Sequence, residues 1–321
     1  AKEWAIKVGV DSVDKLNAIA SSDNSIELIL VCEAMQSNCI YEIAKKIAGQ
    51  GKKIILISGP SSAGKTTFSH RLSIQLRSLG LVPHAIAADN YFVNRKDNPK
   101  DENGNYDFEC LEAMDIEKLN RDMTALLSGE RIEIPAFNFK IGEREYHGDF
   151  LQIDDSDVII MEGIHSLNPQ MTYMLDDSDK YKIYISPLNQ LYINKAGQDP
   201  VKVSTIDSRL LRRMIRDYRT RGSDVERTIS MWKSVRAGDE KYIFPYEKEA
   251  DVMFNSSLAY EISVLKPYVE PLLFSIKEDE PEYLEAKRLL KFLDYFLVCQ
   301  PEYIPINSIL REFVGGGCFK V

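Results

Sequence analysis

Several chemistries are excluded by what this 321-residue sequence lacks. No C-x-x-C pair is present, and its five cysteines (Cys32, Cys39, Cys110, Cys299 and Cys318) are scattered and odd in number. With four histidines as partners, neither a disulfide framework nor a zinc site is expected, and buried free thiols are the better reading. No apolar run approaches the roughly 18–20 residues of a membrane span, so no membrane association is expected. The opening AKEWAIKVGV lacks a signal-peptide pattern, which points to a cytoplasmic protein, and lacks an initiator Met, as a cut fragment of a longer chain would. An excess of positive charge is missing too. The net charge of -9 gives no basic face of the kind that bulk nucleic-acid binding needs, although a local phosphate site stays open.

What is present reads as an α/β protein. Ile54–Ser58 (IILIS), His84–Ala88, Val158–Met161, Lys182–Ile185 and Asp251–Phe254 are short apolar runs, as expected for five buried parallel strands. Helical patterns run from Lys65 to about Gly80, from Asp115 to Leu127 and from Val201 to Arg221. The expected architecture is a five-stranded parallel sheet covered by helices, a P-loop NTPase with a β-hairpin insertion over Arg131–Ile153 around Gly142 and a helical lid. Residues 1–50 read as a separate small segment with a strand at Ile26–Cys32 and a helix at Glu33–Ala48. Residues 51–276 read as the main domain, and 277–321 as a helical extension packed on it.

The strongest motif is GPSSAGKT, Gly59 to Thr66, between a buried strand and a helix. The glycines let the backbone curl so that successive N–H groups face phosphate oxygens, and the helix N-terminus adds positive dipole. The nucleotide-binding set is Gly59, Ser61, Ser62, Ala63, Gly64, Lys65, Thr66 and Thr67. Lys65 reaches the β- and γ-phosphates of ATP, and the Thr66 hydroxyl ligates Mg²⁺. No N-K-x-D guanine motif and no L-S-G-G-Q transporter signature is found. Three further features favour a kinase. Asp89 ends the second strand (AADNYF) and is placed to take a proton from an acceptor hydroxyl and to approach the metal. Glu162 ends the third strand (VIIMEG) in the position of a metal-holding acid. Arg209, Arg212, Arg213, Arg216, Arg219 and Arg221 form a cationic stripe suited to a closing lid over phosphates.

In their order, GPSSAGKTT, AADNYF, NYDFECLEAMD, IPAFNF, VIIMEGIHSL and RRMIRDYRTRG resemble the uridine kinase and phosphoribulokinase family, over about residues 52–256. The resemblance implies ATP- and Mg²⁺-dependent phosphorylation of the 5′-hydroxyl of a uridine- or cytidine-like nucleoside. It makes Asp89 the catalytic acid–base, Lys65 with Arg213, Arg216 and Arg221 the phosphate-contacting cations, and Thr66, Asp89 and Glu162 the metal-side groups. It assigns Asp107 to ribose hydroxyls and Tyr91, Phe92 and Phe137 to the acceptor pocket. Uridine kinases read D-S-F-Y, where this chain has Asp89-Asn90-Tyr91-Phe92. They read P-x-Y-D-F with a histidine three residues on, where this chain has Pro135–Phe139 and then Gly142, and Ser223 replaces a usual lid arginine. Pyrimidine-specific hydrogen bonding is therefore not carried over. A kinase for a sugar phosphate or other polyol, and a non-catalytic ATP-binding regulator linked to RNA or translation, stay open. Residues 1–50 resemble the end of a threonyl-tRNA-synthetase-like additional domain. IPINSILREFVGGG resembles the C-terminus of the long bacterial proteins that carry it. The partner expected is the small-molecule acceptor, with room for a homo-oligomer.

Overall fold

A computed structural model describes residues 6–22, 24–100, 104, 106–194 and 199–320. Five strands form the central sheet: β1 (Ile54–Ser58), β2 (Val82–Ala87), β3 (Asp157–Glu162), β4 (Lys180–Ser186) and β5 (Val252–Asn255). Their order is β5-β4-β1-β3-β2 and every pairing is parallel. The alternation of side chains along a strand divides the core. Ile55, Ile57, Val158, Ile160, Ile183 and Ile185 face one helical layer, whereas Ile54, Leu56, Ile159, Met161 and Tyr184 face the other. A strand buried on both faces can be apolar throughout, which is why these runs show no alternation. The chain moves from β1 outward on one side and returns to add β4 on the other, so the crevice at the C-terminal edge beside β1 is where ligands are expected.

The helices are α1 (Val13–Ala20), α2 (Ser25–Gly49), α3 (Lys65–Ser78), α4 (Ile116–Leu127), α5 (Thr205–Thr220), α6 (Val225–Gly238), α7 (Glu261–Phe274), α8 (Tyr283–Leu293) and a last turn α9 (Arg311–Val314). The strand expected at Ile26–Cys32 is instead the first part of α2. Leu28, Ile29 and Cys32 are buried at helical spacing and continue the stripe Ile40, Ile43, Ala44 and Ile47, while Leu30 and Val31 face outward. An apolar run of seven residues has no period that separates strand from helix, and the longer stripe decides. Val10, Leu16 and the α2 stripe share one core with the sheet, α5, α7, α8 and Phe313, so hydrophobic contacts cross both residue 50 and residue 277.

The insertion after α4 is a double hairpin. Ile132–Glu133 pairs with Phe150–Leu151, and Ala136–Asn138 pairs with Glu143–Glu145, both antiparallel. The turn closes by Gly142 N–H donating to the Asn138 carbonyl at 2.7 Å, with Gly142 at φ 74°. No helix among the described residues is long and apolar enough to cross a membrane.

Candidate active site

The loop after β1 is shaped by steric necessity. A Cβ on Gly59 would drive into the Ile185 carbonyl, and one on Gly64 would lie 2.8 Å from Ile309 Cγ2. Gly64 has φ 87° and Ser62 φ 61°, two left-handed residues that turn the backbone inward. Among the described residues, no acceptor meets the N–H groups of Ser62, Gly64, Lys65 and Thr66. These donors, at the N-terminus of a 14-residue helix, are what a polyphosphate requires. Lys65 Nζ donates back to the carbonyls of Gly59 at 2.7 Å and Pro60 at 3.3 Å, so its ammonium sits over the loop. Burial lowers its pKa, opposed by the nearby Glu162 carboxylate.

Sheet register brings the two acids together. Ala87 on β2 is the direct partner of Glu162 on β3, which puts Asp89 just past the same level. Gly163 permits this approach, because a Cβ there would stand 2.7 Å from Ala88 Cβ. Thr66 Oγ1 donates to Glu162 Oε1 at 3.0 Å, and Glu162 Oε2 is buried without a partner. Burial raises Glu162 to about 7 against the pull of Lys65 and Thr66. Asp89 is open to solvent at its outer side but walled by protein, which raises its pKa against the pull of Lys65 and Arg221.

The pair Thr66–Glu162 passes a test for magnesium. Among the described residues there is no cluster of three or more His, Cys, Asp or Glu arranged to hold a metal. Magnesium instead takes one or two carboxylates together with substrate phosphates and water, and an orphaned carboxylate oxygen beside a hydroxyl meets that need. The raised pKa of Glu162 also has a consequence for stability. Its folded-state value lies above the ordinary glutamate value of 4.5, so its contribution is fully present below that value and is lost as pH rises through about 7. The metal-free protein is therefore expected to lose thermal stability between about pH 5 and 8, and Glu162→Gln to flatten that slope, with Lys65, Asp89 and Glu312 the other charges facing the site. Identical slopes for the two proteins in a thermal-shift pH series would contradict it.

Helix α5 splits its arginines between two tasks. Arg213 Nη1 donates to Ser61 Oγ at 2.8 Å. Arg213, Arg216 and Arg221 also converge on the buried Asp217, at 3.1, 2.7 and 3.7 Å. Asp217 thus gathers the three arginines expected to contact phosphate, and Arg213 ties the group to the loop. Arg209 and Arg212 do not face the crevice. Arg212 is fully buried, clamps Glu261 with Nε and Nη2, and donates from Nη1 to the Ser62 and Ala63 carbonyls at 3.3 and 3.4 Å. Arg209 pairs with Asp239 and donates to the Ser61 carbonyl. These two arginines hold the loop from below.

The side expected to take the acceptor is aromatic. Phe92, Phe137 and Phe139 pack with ring centroids 5.1–6.2 Å apart, and with Arg95, Asn98 and Phe108 they line a cavity of about 200 Å³. Arg144 fixes this arrangement by joining the hairpin to Asp115 at 2.9 Å and to the Tyr91 and Phe92 carbonyls. Tyr91 is a correction: its ring is fully buried in the core that includes Ile86, Leu119 and Met123 and is not among the residues lining the pocket. Gly142 also has a reason. A Cβ there would lie 2.7 Å from Arg95, whose side chain occupies that space and donates to the Phe139 carbonyl at 2.8 Å. Asp107 Oδ1 accepts the N–H groups of Glu109 and Cys110, and Oδ2 accepts the Tyr242 hydroxyl at 3.0 Å. Burial raises Glu109 nearby, with Asp239 adding to the shift and Arg213 opposing it.

Two participants escaped the sequence reading. Tyr242 follows α6 and holds Asp107 across 135 residues. Glu312, in α9, accepts the Thr67 N–H at 3.4 Å and its hydroxyl at 2.8 Å. The IPINSILREFVGGG resemblance marked that C-terminal stretch, but nothing in its spacing placed it on the loop.

A family described as Phosphoribulokinase / Uridine kinase family matches residues 54–199 and 200–263. The chain is 29% identical over 199 residues to a uridine kinase of Halobacterium salinarum, covering 61% of this chain and 77% of that protein. It is 28% identical over 233 residues to a uridine kinase of Chlamydia pneumoniae, covering 72% and 94%. A uridine kinase of Halalkalibacterium halodurans is 27% identical over 206 residues, covering 64% and 86%.

Proposed function

Since this chain belongs to the Phosphoribulokinase / Uridine kinase family, we propose that it is an ATP-dependent kinase that phosphorylates the 5′-hydroxyl of a nucleoside-like acceptor. The observation that carries this reading is the meeting of Asp89, Glu162, Lys65 and Thr66 at the C-terminal edge of β1–β3, beside an aromatic pocket.

The roles proposed are those the family resemblance implies, and the geometry supports them. The loop N–H groups and Lys65 cradle the polyphosphate. Thr66 and Glu162, with Asp89 directly or through water, would hold magnesium, which neutralises phosphate charge when bound. Asp107, already oriented by Tyr242, holds acceptor hydroxyls. Phe92 and Phe137 stack against the rest of the acceptor. Asp89 orients the attacking hydroxyl and takes its proton; its raised pKa brings it nearer to the proton it receives. Arg213, Arg216 and Arg221 leave Asp217 for the equatorial oxygens of the phosphoryl group in transit, where preformed cationic donors act on developing charge.

The acceptor is narrowed by Arg95. It fills the space over Gly142 and supplies donors only, whereas a pyrimidine edge also presents an N–H that needs an acceptor. This favours a base read mainly by stacking. The same feature supports a second reading, a polyol or sugar phosphate whose anion meets Arg95. Release of ADP from ATP and magnesium is the assay, run with uridine, cytidine, other nucleosides, ribulose 5-phosphate and no acceptor. A nucleoside is expected to stimulate release. Stimulation by the sugar phosphate alone would move the acceptor to the second reading. Tight ATP binding with no stimulation by any of them would count against both, in favour of an ATP-binding regulator.

A further inference from the structure

The first turn of α3 carries two threonines that face different neighbours. Thr66 turns to Glu162 and Thr67 to Glu312. Lysine in this type of loop reaches the β- and γ-phosphates, and the N–H groups of the loop and helix start take the α- and β-phosphates. The transferable end of the nucleotide therefore lies with Lys65, Glu162 and Asp89, and the nucleoside end emerges past Thr66, on the Thr67 side. A cavity of about 510 Å³ opens there, bordered by Thr67, Arg219, Arg311, the Gly315–Gly317 backbone and Phe319. Its size lies within the range of about 300–1,000 Å³ usual for small-molecule sites.

This cavity is built by the C-terminal segment. Ile309 packs on Gly64, and Arg212 lies 5.0 Å from the Phe313 ring centroid. Arg219 Nη2 donates to the Glu312 carbonyl at 2.9 Å. Three consecutive glycines form one wall, with Gly315 at φ 87° and Gly316 at φ 69°. Arg219 stands where a Cβ on Gly315 would be, so the wall a flat ring would meet is glycine backbone together with the Arg219 guanidinium. Phe319 stands at the edge, stacked on His70 with centroids 5.0 Å apart and planes 7° from parallel. The one acid, Glu312, is buried and held by Thr67. A carboxylate accepts hydroxyl protons, so Glu312, held by Thr67 at the border between the loop and the cavity, suits a sugar hydroxyl there.

We propose that residues 308–320 supply the site for the nucleoside end of ATP. The ribose lies at Glu312, and the base lies between the Gly315–Gly317 backbone and the Phe319 ring with Arg219 beside it. This rests on the reading that the loop binds ATP, and it makes the segment beyond the family match part of the nucleotide site. The test compares ATP with inorganic tripolyphosphate, which needs the loop but has no nucleoside, by titration calorimetry on the full chain. Phe319→Ala and deletion of residues 318–321 are each expected to weaken ATP by about tenfold, the scale of one base–aromatic contact, while tripolyphosphate changes by less than about twofold. Unchanged ATP affinity in both variants would overturn the proposal and leave the kinase reading intact. Equal loss of both ligands would also overturn it, by making the segment a prop for the loop. Intact protein that binds neither ligand would overturn the loop reading, and this proposal with it.

Discussion

Asp89→Asn is expected to lower acceptor-dependent ADP release by about 10²–10⁴-fold, the usual worth of a positioned general base, while ATP binding stays within a few-fold of the unaltered protein. Asparagine keeps the size and the polar contacts of aspartate but cannot take a proton. The position is set by the strand end, where β2 and β3 pair Ala87 with Glu162, so the substitution has no fold to disturb. Solvent reaches this side chain, which removes the cost of burying an amide. Losing the charge should relieve Lys65 and Arg221 of an attraction, so phosphate binding has no reason to weaken strongly. Turnover and ATP affinity measured on the same preparation decide the matter. Normal turnover in Asp89→Asn would falsify the assignment of the base. Equal loss of turnover and ATP binding would make Asp89 a binding group instead.

The second large effect concerns a residue that touches no substrate. Arg212→Met is expected to destabilise the protein by about 3–5 kcal/mol, because it strands the Glu261 carboxylate in the core. Both partners are at 0% exposure. Arg212 also holds the carbonyls of Ser62 and Ala63 and the backbone carbonyl of Ser256, so three chain segments lose their common tie. ATP affinity should fall with stability, since the Ser62 backbone is kept left-handed by contacts of this kind. Pairing Arg212→Met with Glu261→Leu removes the orphan charge and is expected to recover most of the stability but not the nucleotide affinity. Denaturant midpoints for the two variants, beside ATP titrations, test this. An unaltered midpoint in Arg212→Met would show that water or a rearranged partner satisfies Glu261.

Arg212 also shows where sequence reading stops. Arg209, Arg212, Arg213 and Arg216 share one side of a helix and look alike on a helical projection, as a stripe awaiting an anion. The fold sends the first two inward to Asp239 and Glu261 and leaves the others with Asp217 at the loop. Those carboxylates lie 30 and 49 residues from their arginines, and no local pattern announces such a pair. Tyr91 and Phe92 differ in the same way. Tyr91 closes a single 3-10 turn and Phe92 follows it in extended backbone, so one ring fills the core and the other meets Phe137.

The loop, the sheet class and the acids at the strand ends are local matters. A strand buried on both faces must be apolar, a phosphate cradle must have glycine where side chains would collide, and a metal-side acid must follow a buried strand. Each requirement falls on a few neighbouring residues and leaves its mark in order along the chain. The strand assigned to Ile26–Cys32 failed because a seven-residue apolar run carries no period of its own, and burial of the longer stripe against the sheet made it helical. The tertiary structure alone decided which arginines are supports, which hydroxyl orients Asp107, and that Glu312 holds Thr67. The contacts of Tyr242 with Asp107 and of Glu312 with Thr67 join residues 135 and 245 positions apart. Their energy depends on packing between whole elements rather than on the propensity of any one segment.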